Sequence, residues 1–195
     1  MNTIKVVGLD PSLRSFGIVI AEIDITQPHY PFTVTHVEVA QPKDEAKKAK
    51  TVRKNSDDLR RAKQLHSALQ NACKDASFAF CEVPVGSQSA RAMTSYGICV
   101  GVLASCPIPM IQVTPTEVKM AATGIKSATK EEMIEAMAKE HPEVKWLTRK
   151  FKGEMELLGS NEHIADAMAA IKAGILTDDF RITISMLKSA QKAVS

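Results

Sequence analysis

The stretch IKVVGLDPSLRSFGIVIAEIDI, residues 4–25, reads as two strands joined by a tight turn. Ile4 to Leu9 is apolar apart from Lys5, the pattern of a strand buried on both faces, and it stops at Asp10. Pro11 and Ser12 supply the turn, and Phe16 to Ile25 supplies the second strand. Phe32 to Val39 alternates well enough to be a third, so the chain is expected to open with an antiparallel meander. An unpaired carboxylate at the end of a central strand is costly to bury. Asp10 therefore either caps the turn or meets a partner or a cation.

Working outward, Leu59, Ala62, Leu65, His66, Leu69 and Cys73 recur at helical spacing, predicting an amphipathic helix over 56–74 with His66 at its boundary. Ser77 to Val83 follows as a fourth strand with Glu82 near its carboxyl end, and a helix is expected over 88–105. The small residues Ala90, Gly97, Gly101 and Ala104 suit close packing of that helix on a sheet or a neighbour. Met110 to Val113 is a short fifth strand, and helices over 117–122 and 129–140 are separated by Gly124. His141-Pro142 stops the second of these, and a less regular basic segment follows. Ser160 or Asn161 is placed to cap a helix over 162–173, and 182–194 reads as another helix or a frayed end. No internal repeat or low-complexity tract is present, and no G-x-G-x-x-G follows the first strand, which excludes a dinucleotide fold. The order β-β-β-α-β-α-β-α instead predicts an α/β, RNase H-like fold, a five-stranded mixed sheet flanked by helices. Residues 1–178 are expected to form this domain and 179–195 a helical tail.

The 195 residues, 45% hydrophobic and 24% charged, fit a single globular domain. The net charge of +3 is unevenly placed. Lys43, Lys47, Lys48, Lys50, Arg53, Lys54, Arg60, Arg61 and Lys63 crowd one stretch, and Lys145, Arg149, Lys150 and Lys152 surround Trp146 and Phe151. Either cluster is a solvated face or a contact for a polyanion. Packing is the expected role of the two aromatics, with stacking on unpaired bases as the alternative. Cys73, Cys81, Cys99 and Cys106 form no C-x-x-C pair, so zinc is not expected. Reduced cysteines and an N-terminus without a signal-like core point to the cytoplasm. No apolar run approaches the roughly 20 residues of a membrane span.

The chemistry lies in the acids at element ends. Asp10 and Glu82 both terminate apolar strands; on adjacent parallel strands their carboxylates share one crevice. His163 and Asp166, three residues apart on an otherwise apolar helix, share a face. An acid there needs a compensating cation, whereas Glu162 in the first turn is explained by the helix dipole.

Four segments together resemble the RuvC family of Holliday-junction resolvases, in the manner of a divergent phage-type member. GLDPSLRSFGIVI, from Gly8 to Ile20, is similar to G-[IL]-D-P-G-x-x-x-x-G-x-x-[IV]; Glu82 matches the glutamate ending the fourth strand. Pro115, Val118, Lys119, Gly124, Ala128 and Lys130 follow P-x-x-V-K-x-x-x-x-G-x-x-x-A-x-K, and His163-Ile-Ala-Asp166-Ala follows [DH]-x-A-D-A. The resemblance runs from about Ile4 to Ile175, with two departures. Ser12 replaces a glycine, and Val85 stands where the resolvases carry an aromatic that stacks on a junction base.

The resemblance implies a crossover junction endodeoxyribonuclease with a two-metal-ion hydrolytic mechanism, leaving 5′-phosphate and 3′-hydroxyl ends. Asp10, Glu82, His163 and Asp166 are the implied ligands of two Mg²⁺ ions, with Mn²⁺ expected to substitute because His163 offers nitrogen. Lys119 and Lys130 are implied at the scissile phosphate. The implied partners are four-way or otherwise branched DNA and a second copy of the chain as a homodimer, with no membrane and no nucleotide cofactor. If the protein is phage-encoded, the expected compartment is the host cytoplasm. Two alternatives stay open: a non-cleaving protein that binds DNA structure on the same fold, and an actin-like ATPase, which lacks its glycine-rich phosphate loops here.

Overall fold

The computed structural model describes residues 3–42, 54–84 and 86–194. Val85 and the basic residues Lys43, Lys47, Lys48, Lys50 and Arg53 lie outside the described residues.

Strands β1 (Thr3–Asp10), β2 (Phe16–Asp24) and β3 (Phe32–Ala40) form the expected antiparallel meander. After α1 (Lys54–Cys73), β4 (Phe78–Glu82) enters parallel to β1; after α2 (Ala90–Leu103), β5 (Met110–Val113) pairs parallel to β4. The sheet order is β3-β2-β1-β4-β5, mixed and five-stranded. Helices α3 (Pro115–Thr123), α4 (Lys130–Glu140), α5 (Glu162–Ile175) and α6 (Asp178–Val194) complete the domain.

The period of two along a strand sorts side chains between two cores. Val7, Leu9, Ala79 and Cys81 pack with Leu65, Leu69, Cys99 and Leu103 of α1 and α2. Ile4, Val6, Phe78 and Phe80 face the other way, onto α5 and its neighbours. By the same parity Asp10 and Glu82 point to the α5 side. Helix α5 buries ten residues, among them Ile164, Ala167, Met168 and Ile171, and so forms the centre of that layer. It lies on the sheet at a distance only glycine allows: a Cβ on Gly8 would stand 2.1 Å from the Ala167 carbonyl oxygen. One on Gly17 would stand 2.1 Å from that of His163.

Four elements differ from expectation. The basic segment after α4 contains a hairpin, β6 (Thr148–Phe151) and β7 (Glu154–Leu157). Its turn has φ of 48° at Lys152 and 95° at Gly153, the left-handed pair of a two-residue hairpin. Lys-Gly is a weaker signal for that turn than Asn-Gly, which is why the sequence reads as irregular. Asn161 does not cap α5; its amide accepts from Leu147 N–H at 3.0 Å and donates to Leu147 C=O at 2.9 Å, while the 3-10 turn Gly159–Asn161 leads into the helix. Gly97 and Gly101 were expected to pack closely, yet among the described residues nothing lies within 4 Å of where a Cβ on either would stand. Finally, α6 starts four residues before the expected helix, and Phe180 in its first turn is fully buried against Tyr30, Phe78 and Phe80. Trp146 packs against the core, its indole N–H donating to His141 C=O at 3.0 Å, whereas Phe151 is exposed.

Candidate active site

Asp10 ends β1 and Glu82 ends β4, one rung beyond the paired Leu9 and Cys81. Adjacent strands run about 4.8 Å apart, so both carboxylates leave the same sheet edge on the same face. Across from them is the first turn of α5. His163 Nδ1–H donates to Asp10 Oδ2 at 2.6 Å, and its Nε2 lies 3.6 Å from Glu162 Oε1. Gly17, on the strand paired with β1, permits this approach because α5 crosses it at His163 itself. Asp166 lies one turn further along, on the same side as His163 and closer to the core.

The electrostatics are those of negative charges gathered against their own repulsion. Burial raises the Glu82 carboxyl above the usual range, Asp10 adds to it, and Lys119 partly offsets both. Asp166 is pushed up to about 7, first by burial and then by Asp10, Glu82 and Glu162. His163 is raised by its bond to Asp10 despite partial burial. Three upward shifts gathered in one crevice make it the candidate functional site of the chain.

A cation is the simplest compensating group. The donor set fits a hard divalent ion, with three carboxylates from three separate elements and one imidazole nitrogen. Among the described residues, however, no three such side chains already stand close enough to hold an ion. One oxygen of Asp10 is engaged by His163. Loading an ion on both residues requires that hydrogen bond to open.

The two lysines stand differently. Lys119, half-buried on α3, contributes its charge to Glu82. Lys130, the first residue of α4, is ion-paired with Glu162, and that bond raises its pKa. Sequence reasoning assigned Glu162 only to the helix dipole; it also anchors Lys130 and flanks His163. No local pattern encodes a pairing between helices so far apart in the chain. In the described part of the basic stretch, Arg60 and Arg61 donate to Asp57 at 2.5 and 2.8 Å.

No protein-family model matches the sequence, and no curated protein matches it. Among solved structures, RuvC of Thermus thermophilus in complex with a Holliday junction substrate aligns with a TM-score of 0.61 at 18% identity, over 87% of this chain and 92% of that one. A second Thermus thermophilus RuvC structure aligns with a TM-score of 0.59 at 18% identity, over the same shares. With its five-stranded mixed sheet, its central α5 and these alignments, the chain has the fold of RuvC, within the RNase H-like class.

Proposed function

We propose that the chain is a metal-dependent, structure-selective DNA endonuclease that hydrolyses phosphodiester bonds in Holliday junctions or other branched DNA. The observation that carries this reading is the placement of Asp10 and Glu82 at neighbouring strand ends facing the start of α5, where His163 meets Asp10 and where burial first, then Asp10, Glu82 and Glu162, raise Asp166 to about 7.

These four residues would hold Mg²⁺ or Mn²⁺, two ions in the full reading. When bound, the metal supplies an acidified water as nucleophile and positive charge for the leaving oxygen. The protein's part is positioning and charge. Asp10 and Glu82 present carboxylates from a rigid sheet edge, and α5 is held against that edge by Gly8 and Gly17. Lys119 lies beside Glu82 and offsets negative charge where a backbone phosphate would enter. Lys130 is directed by Glu162 rather than left to swing freely. The expected ends are 5′-phosphate and 3′-hydroxyl. A homodimer is part of this reading, because a junction offers two strands for symmetric nicks. Its supporting surface is the outer side of α2, where Met93, Gly97, Val100 and Gly101 are exposed. The proposed compartment is the cytoplasm.

A second reading, a non-cleaving protein that binds branched DNA, is favoured by one observation: His163 engages an oxygen of Asp10 that a metal ion would need. Incubating the protein with four-way, Y-shaped and linear DNA in Mg²⁺, Mn²⁺ or EDTA separates the two. Cleavage of branched DNA that requires the metal and disappears in Asp10→Asn supports the nuclease. Selective binding without cleavage in either metal refutes it.

A further inference from the structure

The β6–β7 hairpin has no role in the site described above. Among the described residues its strands pair only with each other, and an isolated two-stranded hairpin is marginal in water. It persists here because its base is clamped: Leu158 N–H donates to Leu147 C=O at 2.9 Å, and the buried Asn161 side chain brackets Leu147 from both sides. Asn161 immediately precedes Glu162 and His163, so the clamp ties the hairpin to the helix that carries half of the candidate ligands.

The tip is built differently from the base. Phe151 is 46% exposed, an unusual position for an aromatic ring in a small domain. Two cations bracket it, with the Arg149 guanidinium carbon and the Lys152 ammonium each 5.3 Å from the ring centre. Lys150 is also exposed. Two acids share the hairpin, but Glu156 is paired with Arg149 at 3.1 Å, leaving Glu154 opposite Phe151 as the negative group near the ring. An exposed ring ringed by cations suits a partner that is itself planar, aromatic and anionic. Nucleobases on a phosphate backbone have that chemistry, and one stacked base is sequence-tolerant because every base has a π face.

We infer that the β6–β7 hairpin reads the branch point, with Phe151 stacking on an unpaired base while Lys150 and Lys152 meet the flanking phosphates. This rests on the nuclease reading for its substrate. A base inside an intact duplex offers no free face, so a stacking tip distinguishes interrupted from continuous DNA without any base-specific contact. The contour from the tip through β7 and the 3-10 turn to His163 is about 25 Å at strand and 3-10 rises, which sets an upper limit of about seven base steps on the separation of tip and crevice.

The test compares the full-length wild type with Phe151→Ala and Phe151→Trp. Binding to a four-way junction and to a linear duplex of equal length is measured by fluorescence anisotropy in EDTA, and metal-dependent cleavage of both DNAs is measured in parallel. The expected result is an affinity for the junction lowered about 5- to 150-fold in Phe151→Ala, the cost of one lost stack, with duplex affinity within about two-fold of wild type. Phe151→Trp restores junction affinity, and a 2-aminopurine at the branch changes fluorescence with wild type and Phe151→Trp but not with Phe151→Ala. Because the ring is exposed, its removal leaves the fold intact, which a thermal melt checks. A Phe151→Ala protein that keeps the wild-type ratio of junction to duplex affinity overturns the inference. So does one that loses affinity through a change in oligomeric mass, since Phe151 would then be a protein contact. A wild type that discriminates junctions through Phe151 but cuts nothing in either metal leaves the hairpin standing and removes the nuclease.

Discussion

Replacing Asp166 with Asn is expected to make the metal-free protein more stable. In the folded chain the Asp166 carboxyl is pushed from an ordinary 3.8 up to about 7 by burial and by Asp10, Glu82 and Glu162. At 1.36 kcal/mol for each power of ten, ionised Asp166 costs the folded state up to roughly 4 kcal/mol. Counter-ions and small movements of the crevice reduce this, so a working figure is roughly 2 kcal/mol. The sign follows from proton binding. Between pH 4 and 7 the folded state holds a proton that the unfolded state has released, so stability falls as pH rises through that window. The asparagine variant lacks this loss. Melting in EDTA should therefore show Asp166→Asn above wild type by about 4–8 °C at pH 8, with the gap narrowing toward pH 5. Saturating Mn²⁺ should raise the wild type by roughly 3 kcal/mol at a hundred times its dissociation constant, and the variant by less. A variant that melts with or below the wild type in EDTA at pH 8, or a gap that ignores pH, refutes the claim that the crevice stores repulsion for a cation.

Asp10→Asn should abolish metal-dependent cleavage while leaving DNA affinity measurable, and retained cleavage removes Asp10 from the site. Gly17→Ala drives a methyl against the His163 carbonyl oxygen, 2.1 Å from an unshifted Cβ, so it should lower both the melting temperature and the cleavage rate. An unchanged melt means that α5 does not depend on that approach. Lys130→Ala and Glu162→Gln break one ion pair and should lower the cleavage rate to a similar degree, with the double variant no worse than either single; additive losses would mean that they act separately. Asp58 is buried and bound twice by Arg91, at 2.5 and 2.7 Å, which holds its carboxyl below the ordinary 3.8. That stability is present above pH 4 and lost as pH falls through the lowered value, so Arg91→Ala should lose melting temperature at pH 7, with the loss shrinking as the pH is taken below 4.

The sheet was legible because its strands are read by short-range rules. Ile4–Leu9 and Phe78–Glu82 are apolar runs that end in an acid, and parallel pairing of the two follows once a helix lies between them. The same rules put Asp10 and Glu82 at neighbouring strand ends and His163 and Asp166 near the start of one helix, as the structure has them, while their role as ligands rests on the proposal. What stayed hidden depends on partners distant in sequence. Glu162 looks like an ordinary first-turn acid until Lys130 is brought beside it. Asn161 looks like a cap, but Leu147 offers both a donor and an acceptor and takes the amide instead. Gly97 and Gly101 carry the pattern of a packed helix face, and pattern alone does not say whether a neighbour arrives.

Placement of the site also explains why its residues tolerate so unfavourable a grouping. Asp10 and Glu82 stand at the ends of strands whose preceding residues, Leu9 and Cys81, are fully buried, so the backbone that presents the carboxylates cannot drift apart to relieve repulsion. Helix α5 cannot retreat either, because ten of its residues are buried and it lies against Gly8 and Gly17 too closely to slide without a clash. Side chains alone are free to respond, and they do: His163 turns its Nδ1–H to Asp10, and Glu162 takes Lys130. These internal pairings offset part of the crowded negative charge. Asp166 is the acid whose carboxyl burial and its neighbours push up to about 7, with His163 only partly offsetting them. A rigid frame with adjustable side-chain pairings can thus hold its acids together at the sheet edge.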